Sequence, residues 1–551
     1  MRKISKLLIK NFSIILFFSL LLCHCKSDSE RLSKQVIIGL ESDLQTLNPL
    51  FTNSEAEANI SELIYLSLVG YNWDEKNGTV NTYPVLAEKW EWNKDTTSVL
   101  VTLRDDVRWS DGDSFTAEDV VYSFDLYSDP KVQSRFFGIL KNYYLKPDLS
   151  IDLKKSFKII NPYLLRIDFT TTGNPTTFDF CLPIIPKHIF EKIDRSELST
   201  SDINFKAVGT GPFKVGSWVR NQHLKLELNK KSFLYNESQI NELAFKIIPD
   251  YHARINQLKK GEIDLMEYIR PEDVADLTQS GKIKISARRG REYDYLGLNN
   301  VTPFANNKPN VLFGSPEIRK AITLAINRES IVKDFLLGNG KVMITPIAPI
   351  FKRSINDSLR PLPFDPKEAK KILANKGWYD SDGDGILEKG NKEFSFVLSV
   401  PSGNSLRQYT STIIQNNLKA VGIDVKIETL EPNILFDRMF KKELDAWIAG
   451  WSIPIPLDLK PYWHSNPEIA PANVSSYSNK QIDIILEKLD SQISESERIN
   501  LLKDFQKIIF RDQPVTFLFW IDNLVGYNKK IKNIDVDPLA TIQRCWEWKV
   551  E

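Results

Sequence analysis

Four basic residues, Arg2, Lys3, Lys6 and Lys10, precede an apolar stretch from Phe12 to Leu22. That start restricts the chain more than any other feature. A helix needs roughly 20 apolar residues to cross a bilayer, so this shorter stretch reads as the hydrophobic region of an export signal covering residues 1–24. No later run is long enough to span a membrane. The chain beyond the signal is therefore expected to fold outside the cytoplasm. A chain of 551 residues exceeds one ordinary core of about 100–200 residues, which predicts two or three substructures. Hydrophobic residues at 42% and charged residues at 26% fit a packed globular protein and exclude a polytopic one.

Removing residues 1–24 takes away four basic residues and no acidic one, so a formal net charge of +1 becomes −3. Lys and Arg are interspersed with Asp and Glu along the whole length, and no basic block stands out. Nucleic acid is not an expected partner. Cys23 and Cys25 close the apolar stretch and precede the polar run Lys26-Ser27-Asp28-Ser29-Glu30. This resembles a lipoprotein processing site, with Cys25 (or Cys23) as the lipidated residue and 25–32 as a tether. The alternative is a cleaved signal without lipid. Cys181 and Cys545 are either a disulfide or two buried thiols, since their spacing carries no signal.

Strand and helix signals alternate irregularly, which predicts a mixed α/β protein. Residues 98–104 read as a strand with Val99, Val101 and Leu103 on one side. Thr116 starts a helix, its hydroxyl free to accept from the first turn ahead of Val120 and Val121. Ser315-Pro316 opens another in the same way, with Ile318, Ala321, Ile322, Ala325 and Ile326 on one face and Gly338 capping the next helical stretch.

Several blocks then fall in a recognisable order. They are Pro84-Val85-Leu86-Ala87-Glu88-Lys89-Trp90, Val107-Arg108-Trp109-Ser110-Asp111-Gly112, Thr116-Ala117-Glu118-Asp119-Val120, Gly209-Thr210-Gly211-Pro212-Phe213, Gly261-Glu262-Ile263-Asp264 and Arg319-Lys320-Ala321-Ile322. Taken together the chain resembles the bacterial extracellular solute-binding proteins of family 5, which serve oligopeptide, dipeptide and nickel ABC importers. The resemblance implies an α/β, two-lobed periplasmic binding protein-like fold (type II, large peptide-binding class) with an extra inserted subdomain. Lobe I would comprise 33–68, 205–296 and 518–551, the inserted subdomain 69–204 and lobe II 297–517. It further implies a monomeric, non-enzymatic receptor on the periplasmic or cell surface, tethered to the membrane by lipid, that delivers peptides to permease subunits. A sugar or metal-chelate receptor and a non-transport sensor or adhesin are the alternatives.

By the same resemblance Trp451 is a ligand-wall tryptophan. Peptide-binding members often carry an aspartate three residues later, where this chain has Pro454, so Asp458 is the substitute acid to consider. Asn48, Tyr295 and Asn299 complete the expected ligand set. Asp380-Ser381-Asp382-Gly383-Asp384-Gly385 opens like a calcium loop, with Glu388 a further carboxylate, but Asn391 stands where the closing glutamate belongs. A plain solvated turn is the expectation there, and no cofactor is expected. An enzyme finds little support: there is no nucleophile elbow, no paired-histidine zinc helix and no phosphate loop, and the chain has five histidines, one of them in the signal.

Overall fold

A computed structural model describes residues 34–551 apart from 139, 172, 237–239 and 303–307. The signal, the tether and the Cys23/Cys25 assignment lie outside the described residues. No described helix is long and apolar enough to cross a membrane.

Strand β1 (Gln35–Leu40) is followed by a helix, Glu55–Glu62, and by the hairpin of β2 (Val69–Asp74) and β3 (Thr79–Pro84). Four antiparallel strands form a separate sheet: β4 (Ala87–Trp92), β5 (Ser98–Leu103), β6 (Phe157–Asn161) and β7 (Leu164–Asp168), in the order 4, 5, 7, 6. The strand expected at 98–104 is β5, and Val99, Val101 and Leu103 are buried as the alternation requires. The helix Ala117–Tyr127 beside this sheet has the predicted capping box: Thr116 Oγ1 accepts from Glu118 N, and the Asp119 carboxylate accepts from Thr116 N at 2.9 Å.

The remaining major strands build one large sheet. They are β8 (Phe213–Val219), β9 (His223–Leu228), β10 (Glu242–Ile247), β11 (Leu265–Ile269), β12 (Ile283–Leu298) and β13 (Gly340–Val342). After the short hairpin of β14 (Glu388–Lys389) and β15 (Lys392–Glu393) come β16 (Ser395–Pro401), β17 (Asp424–Leu430), β18 (Ala446–Ser452) and β19 (Thr516–Asn528). The order across the sheet is 17, 16, 18, 12, 19, 11, 1, 10, 9, 8, with β13 on β19. Two long antiparallel strands, β12 and β19, thus stand between a flank drawn from residues 35–269 and a flank drawn from 395–452. Tyr295 lies near the far end of β12, which begins at Ile283 and ends at Leu298, one residue before Asn299.

Residues 36–245 contribute to one continuous core that also takes in Val525, Tyr527, Cys545 and Trp548, so the segment 69–204 shares its interior with its neighbours. Gly209 and Gly211 permit this junction. A Cβ on Gly209 would lie 1.9 Å from the Ile64 carbonyl oxygen, and one on Gly211 2.2 Å from that of Leu63. The β2–β3 hairpin also reaches the far flank: the Trp73 ring meets Phe351 edge-on at 5.9 Å, and Glu75 pairs with Lys352 at 3.1 Å. Cys181 and Cys545 are free thiols, which removes the disulfide alternative. Cys181 Sγ donates to the Val69 carbonyl.

The helix Pro316–Ala325 buries Ile318, Ala321, Ile322 and Ala325 as its spacing predicts. Its Ser315 does not cap it, however. The hydroxyl turns instead to Glu317 Oε2 at 2.6 Å, and proline occupies the first helical position, where no N–H is needed. Gly338 adopts φ 82° and its N–H closes on Val332 O, as expected of a left-handed cap after the helix Arg328–Asp334.

Two buried arginines lock these helices to the start of β19. Arg319 donates to the carbonyls of Phe313 (2.7 Å), Asp512 (2.8 Å) and Gln513 (2.8 Å). Arg328 donates to those of Met343 (3.1 Å), Phe517 (2.7 Å) and Leu362 (2.6 Å). Burial lowers the pKa of each to about 10, yet both remain charged at neutral pH. A hydrogen bond to a charged group contributes about 1.5–3 kcal/mol, and losing the donor strands buried carbonyls. Arg319→Met is therefore expected to destabilise the protein by about 3 kcal/mol or more, measured by urea unfolding. Lys in its place should recover only part of that, because a point charge cannot meet three separate carbonyls.

Candidate ligand-binding site

The register of β12 against β19 runs unbroken from Ile283 opposite Asn528 to Arg288 opposite Asn523, then resumes at Glu292 opposite Ile521. Arg289, Gly290 and Arg291 therefore bulge opposite the single residue Asp522. Gly290 is required there, since a Cβ would fall 2.1 Å from the Ile521 carbonyl oxygen. The bulge turns a run of charged residues inward. Arg288, 5% exposed, donates to Glu55 at 2.9 Å and lies 3.7 Å from Glu267. Burial opposes its charge, and those two carboxylates more than restore it. Arg291 donates to the carbonyls of Pro538 (2.9 Å) and Ile453 (3.0 Å) and lies 3.9 Å from Glu55. Further along, buried Asp294 pairs with Arg407, whose Nη2 and Nε lie 2.7 Å and 3.0 Å from its oxygens.

On the other face of β12, and on its neighbour β18, lies an aromatic wall. Trp451, opposite Tyr293 in the register, is half-buried, with the rings of Tyr462 at 5.3 Å and Phe440 at 6.3 Å edge-on to it. Tyr295 lies beneath, 2% exposed, its hydroxyl accepting from Trp447 Nε1 at 3.4 Å. A cavity of about 10 Å³ lies between Trp451, Tyr293, Tyr295, Tyr462 and Trp463.

Of the residues singled out in the sequence, the fold brings only Trp451 and Tyr295 together. Asn48 is fully buried, its amide donating to Asn204 Oδ1 at 2.8 Å while its oxygen accepts from Leu50 N. Asn299 is equally buried, donating to the carbonyls of Lys442 and Leu444. Both side chains are committed to holding loops, as asparagine amides commonly are. Asp458 is exposed and accepts from Lys460 N at 3.1 Å, at the start of the short helix Lys460–Trp463. Sequence reasoning passed over Glu55, Arg288, Arg291, Glu292 and Arg407. The available signal was the run Arg288-Arg289-Gly290-Arg291-Glu292, a dense group of charges in the middle of a strand.

The carboxylates of Asp380, Asp382, Asp384 and Glu388 converge within 4.8 Å of one another. They accept from the loop's own amides, including Gly383 N and Gly385 N to Asp380 and Ser381 N to Glu388, so the turn closes on protein donors.

A larger cavity, about 90 Å³, lies between the helix Glu55–Glu62, the β2–β3 hairpin and the C-terminal segment. Asn59, Glu62, Tyr65, Tyr71, Cys181 and Trp546 line it. Glu55, Asn59 and Glu62 recur at helical spacing, so one helix face joins the charged bulge to this cavity. Burial raises the Glu62 carboxyl to about 6 from its usual 4.5, against the opposing effects of Arg135 and the Tyr71 hydroxyl. A raised carboxyl contributes stability that is fully present below the unfolded value and is lost as pH rises through the folded one. Glu62→Gln, which mimics the protonated form, should therefore gain melting temperature relative to the unaltered protein as pH rises from about 4.5 through about 6.

Residues 81–467 match the model of the bacterial extracellular solute-binding proteins, family 5 Middle. The oligopeptide-binding protein AppA of Bacillus subtilis is 29% identical over 523 residues, covering 93% of this chain and 91% of that protein. The probable D,D-dipeptide-binding periplasmic protein DdpA of Escherichia coli is 25% identical over 512 residues, 92% of each. Among solved structures, AppA from B. subtilis in complex with a nonapeptide superposes with a TM-score of 0.74 at 26% identity, covering 94% of this chain and 99% of that one. NikZ from Campylobacter jejuni in complex with Ni(L-His) gives a TM-score of 0.75 at 25% identity, with the same coverage. The mixed α/β architecture expected from the sequence is thus the architecture of these binding proteins, and the chain belongs to the bacterial extracellular solute-binding proteins, family 5.

Proposed function

We propose that this protein is the peptide receptor of an ABC importer, taking short peptides into the cleft between two lobes and presenting them to a membrane permease. The observation that carries this reading is the placement of the charged bulge on β12, which with β19 joins the flanks of the large sheet. A ligand gripped there touches both flanks at once. It can thereby favour a closed form, which is how a loaded receptor is distinguished from an empty one. Extended peptides suit such a site because main-chain hydrogen bonds give affinity without demanding particular side chains. The division into lobe I (33–68, 205–296 and 518–551), the subdomain 69–204 and lobe II (297–517) belongs to the same proposal, as does binding without turnover.

Two further elements complete it. Cys25 carries the lipid that tethers the exported protein, and the protein acts as a monomer. The similarity to NikZ with Ni(L-His) keeps a metal-chelate receptor as a second reading.

Native mass spectrometry of purified residues 26–551 is expected to show heterogeneous added masses that resolve into short peptides after denaturation. A single non-peptide adduct would transfer the assignment to that solute, and a bare protein unmoved by peptide pools would end the peptide reading. Separately, Cys25→Ser is expected to abolish metabolic labelling with an alkyne fatty acid and to release the protein from membranes. Labelling that survives in Cys25→Ser but is lost in Cys23→Ser would move the anchor to Cys23.

A further inference from the structure

The four-stranded sheet ends at β6, whose outer edge pairs with no other strand among the described residues. Phe157 at its start is buried, but the residues that follow it, Lys158, Ile159, Ile160 and Asn161, are all exposed. The segment just before β6 adds to this apolar surface, since Leu145 and Leu149 are exposed on a loop closed by the bridge between Leu145 and Ile151. Leu145, Leu149, Ile159 and Ile160 are 36%, 49%, 42% and 49% exposed. No other stretch of that length carries more than two such large hydrophobic residues among the described residues. The loop and the strand are neighbours in space: the Tyr143 ring stacks on that of Phe157 at 5.7 Å, Tyr144 N donates to Ser156 Oγ at 3.2 Å, and the short helix Leu153–Ser156 runs directly into β6. They form one margin of the segment 69–204.

That margin is also basic. Residues 141–158 hold five lysines and two aspartates, a net +3 in a chain that is −3 beyond its signal. Both aspartates are engaged locally: Asp148 accepts from the Ser150 hydroxyl at 2.7 Å, and Asp152 caps the helix Leu153–Ser156 and lies 3.4 Å from Lys155. Lys141 pairs with Asp490 at 3.3 Å. Lys146, Lys154 and Lys158 are exposed and form no ion pair among the described residues. A lysine on an edge strand discourages pairing with another chain, but that role fits Lys158 alone, because Lys146 and Lys154 lie off the strand. Unpaired cations around exposed aliphatic side chains are instead the two components that hold a protein at an anionic bilayer, where apolar groups enter the headgroup boundary and each lysine at the surface adds about fivefold to binding.

We propose that this margin, the loop 144–152 together with β6, docks on an anionic phospholipid surface, with Lys146, Lys154 and Lys158 against the headgroups and Leu149, Ile159 and Ile160 at their boundary with the acyl chains. The tether proposed above brings the protein to a membrane, and this contact fixes which side of it lies against that membrane. It requires no particular ligand in the cleft.

The test is co-sedimentation of residues 26–551, free of lipid, with vesicles of phosphatidylcholine alone or of equal parts phosphatidylcholine and phosphatidylglycerol, at low salt. The partition coefficient is expected to be at least about tenfold higher on the mixed vesicles and to fall as salt is raised. The triple variant Lys146→Gln, Lys154→Gln, Lys158→Gln should lose most of that difference. A second triple variant, Lys367→Gln, Lys370→Gln, Lys419→Gln, removes equal charge from exposed positions elsewhere and should keep it. Ile159→Ser with Ile160→Ser should weaken binding to the mixed vesicles severalfold, with circular dichroism showing the fold retained. Equal partition onto both kinds of vesicle, or an equal loss in the two triple variants, would overturn the proposal, as would binding that survives the first triple variant intact. Because the chain tested carries no lipid, failure here leaves the tether to its own labelling test and the peptide reading to the mass spectra.

Discussion

The pairing of β12 with β19 is the contact on which the rest of the molecule depends. Their ladder extends from Ile283 opposite Asn528 to Leu296 opposite Thr516, and every strand of the large sheet joins it directly or through intervening strands. Antiparallel pairing over that length, broken by local register shifts, holds two flanks in one sheet although their strands come from distant parts of the chain. Apolar packing alone would not fix the register. Here two arginines, three carbonyls each, pin the segments that lead into β19, and directed bonds of that kind penalise a slip by one residue.

The bulge at Arg289–Arg291 interrupts the ladder where the two flanks meet. An extra length of chain on one strand increases the local twist and turns side chains that a regular strand would send elsewhere. The consequence is a group of charges held largely away from water. Removing a charge from water is costly, and a buried pair offsets that cost only with good geometry and satisfied neighbours. Asp294 and Arg407 meet that condition with a forked contact, while buried Arg288 forks onto Glu55 at the exposed edge of the group. Charges so arranged are held in fixed positions by their partners.

Local features were legible in the sequence wherever the physics is local. The alternation of Val99, Val101 and Leu103 gave the burial of β5, and Thr116 with Asp119 gave the helix start, because each depends on residues within a few positions. Ser315 failed as a cap for an equally local reason, its hydroxyl being drawn to Glu317. The site was less legible. Trp451 and Tyr295 do share one wall, yet Asn48 and Asn299 are structural amides whose partners lie 156 and 143 residues away in sequence. No spacing rule reveals such a partner.

An α/β class and membership of a solute-binding family were determined by the sequence alone, since they rest on local periodicity and the order of motifs. Which charges gather at the bulge of β12 was decided only by the tertiary structure. Glu292 stands beside Ser452 because β12 and β18 pair in one register, and it stands beside Asn523 because a bulge shifts another. Register is a property of two strands together. A side chain's neighbours across a sheet are therefore set by pairing between distant segments, which a single stretch of sequence does not encode.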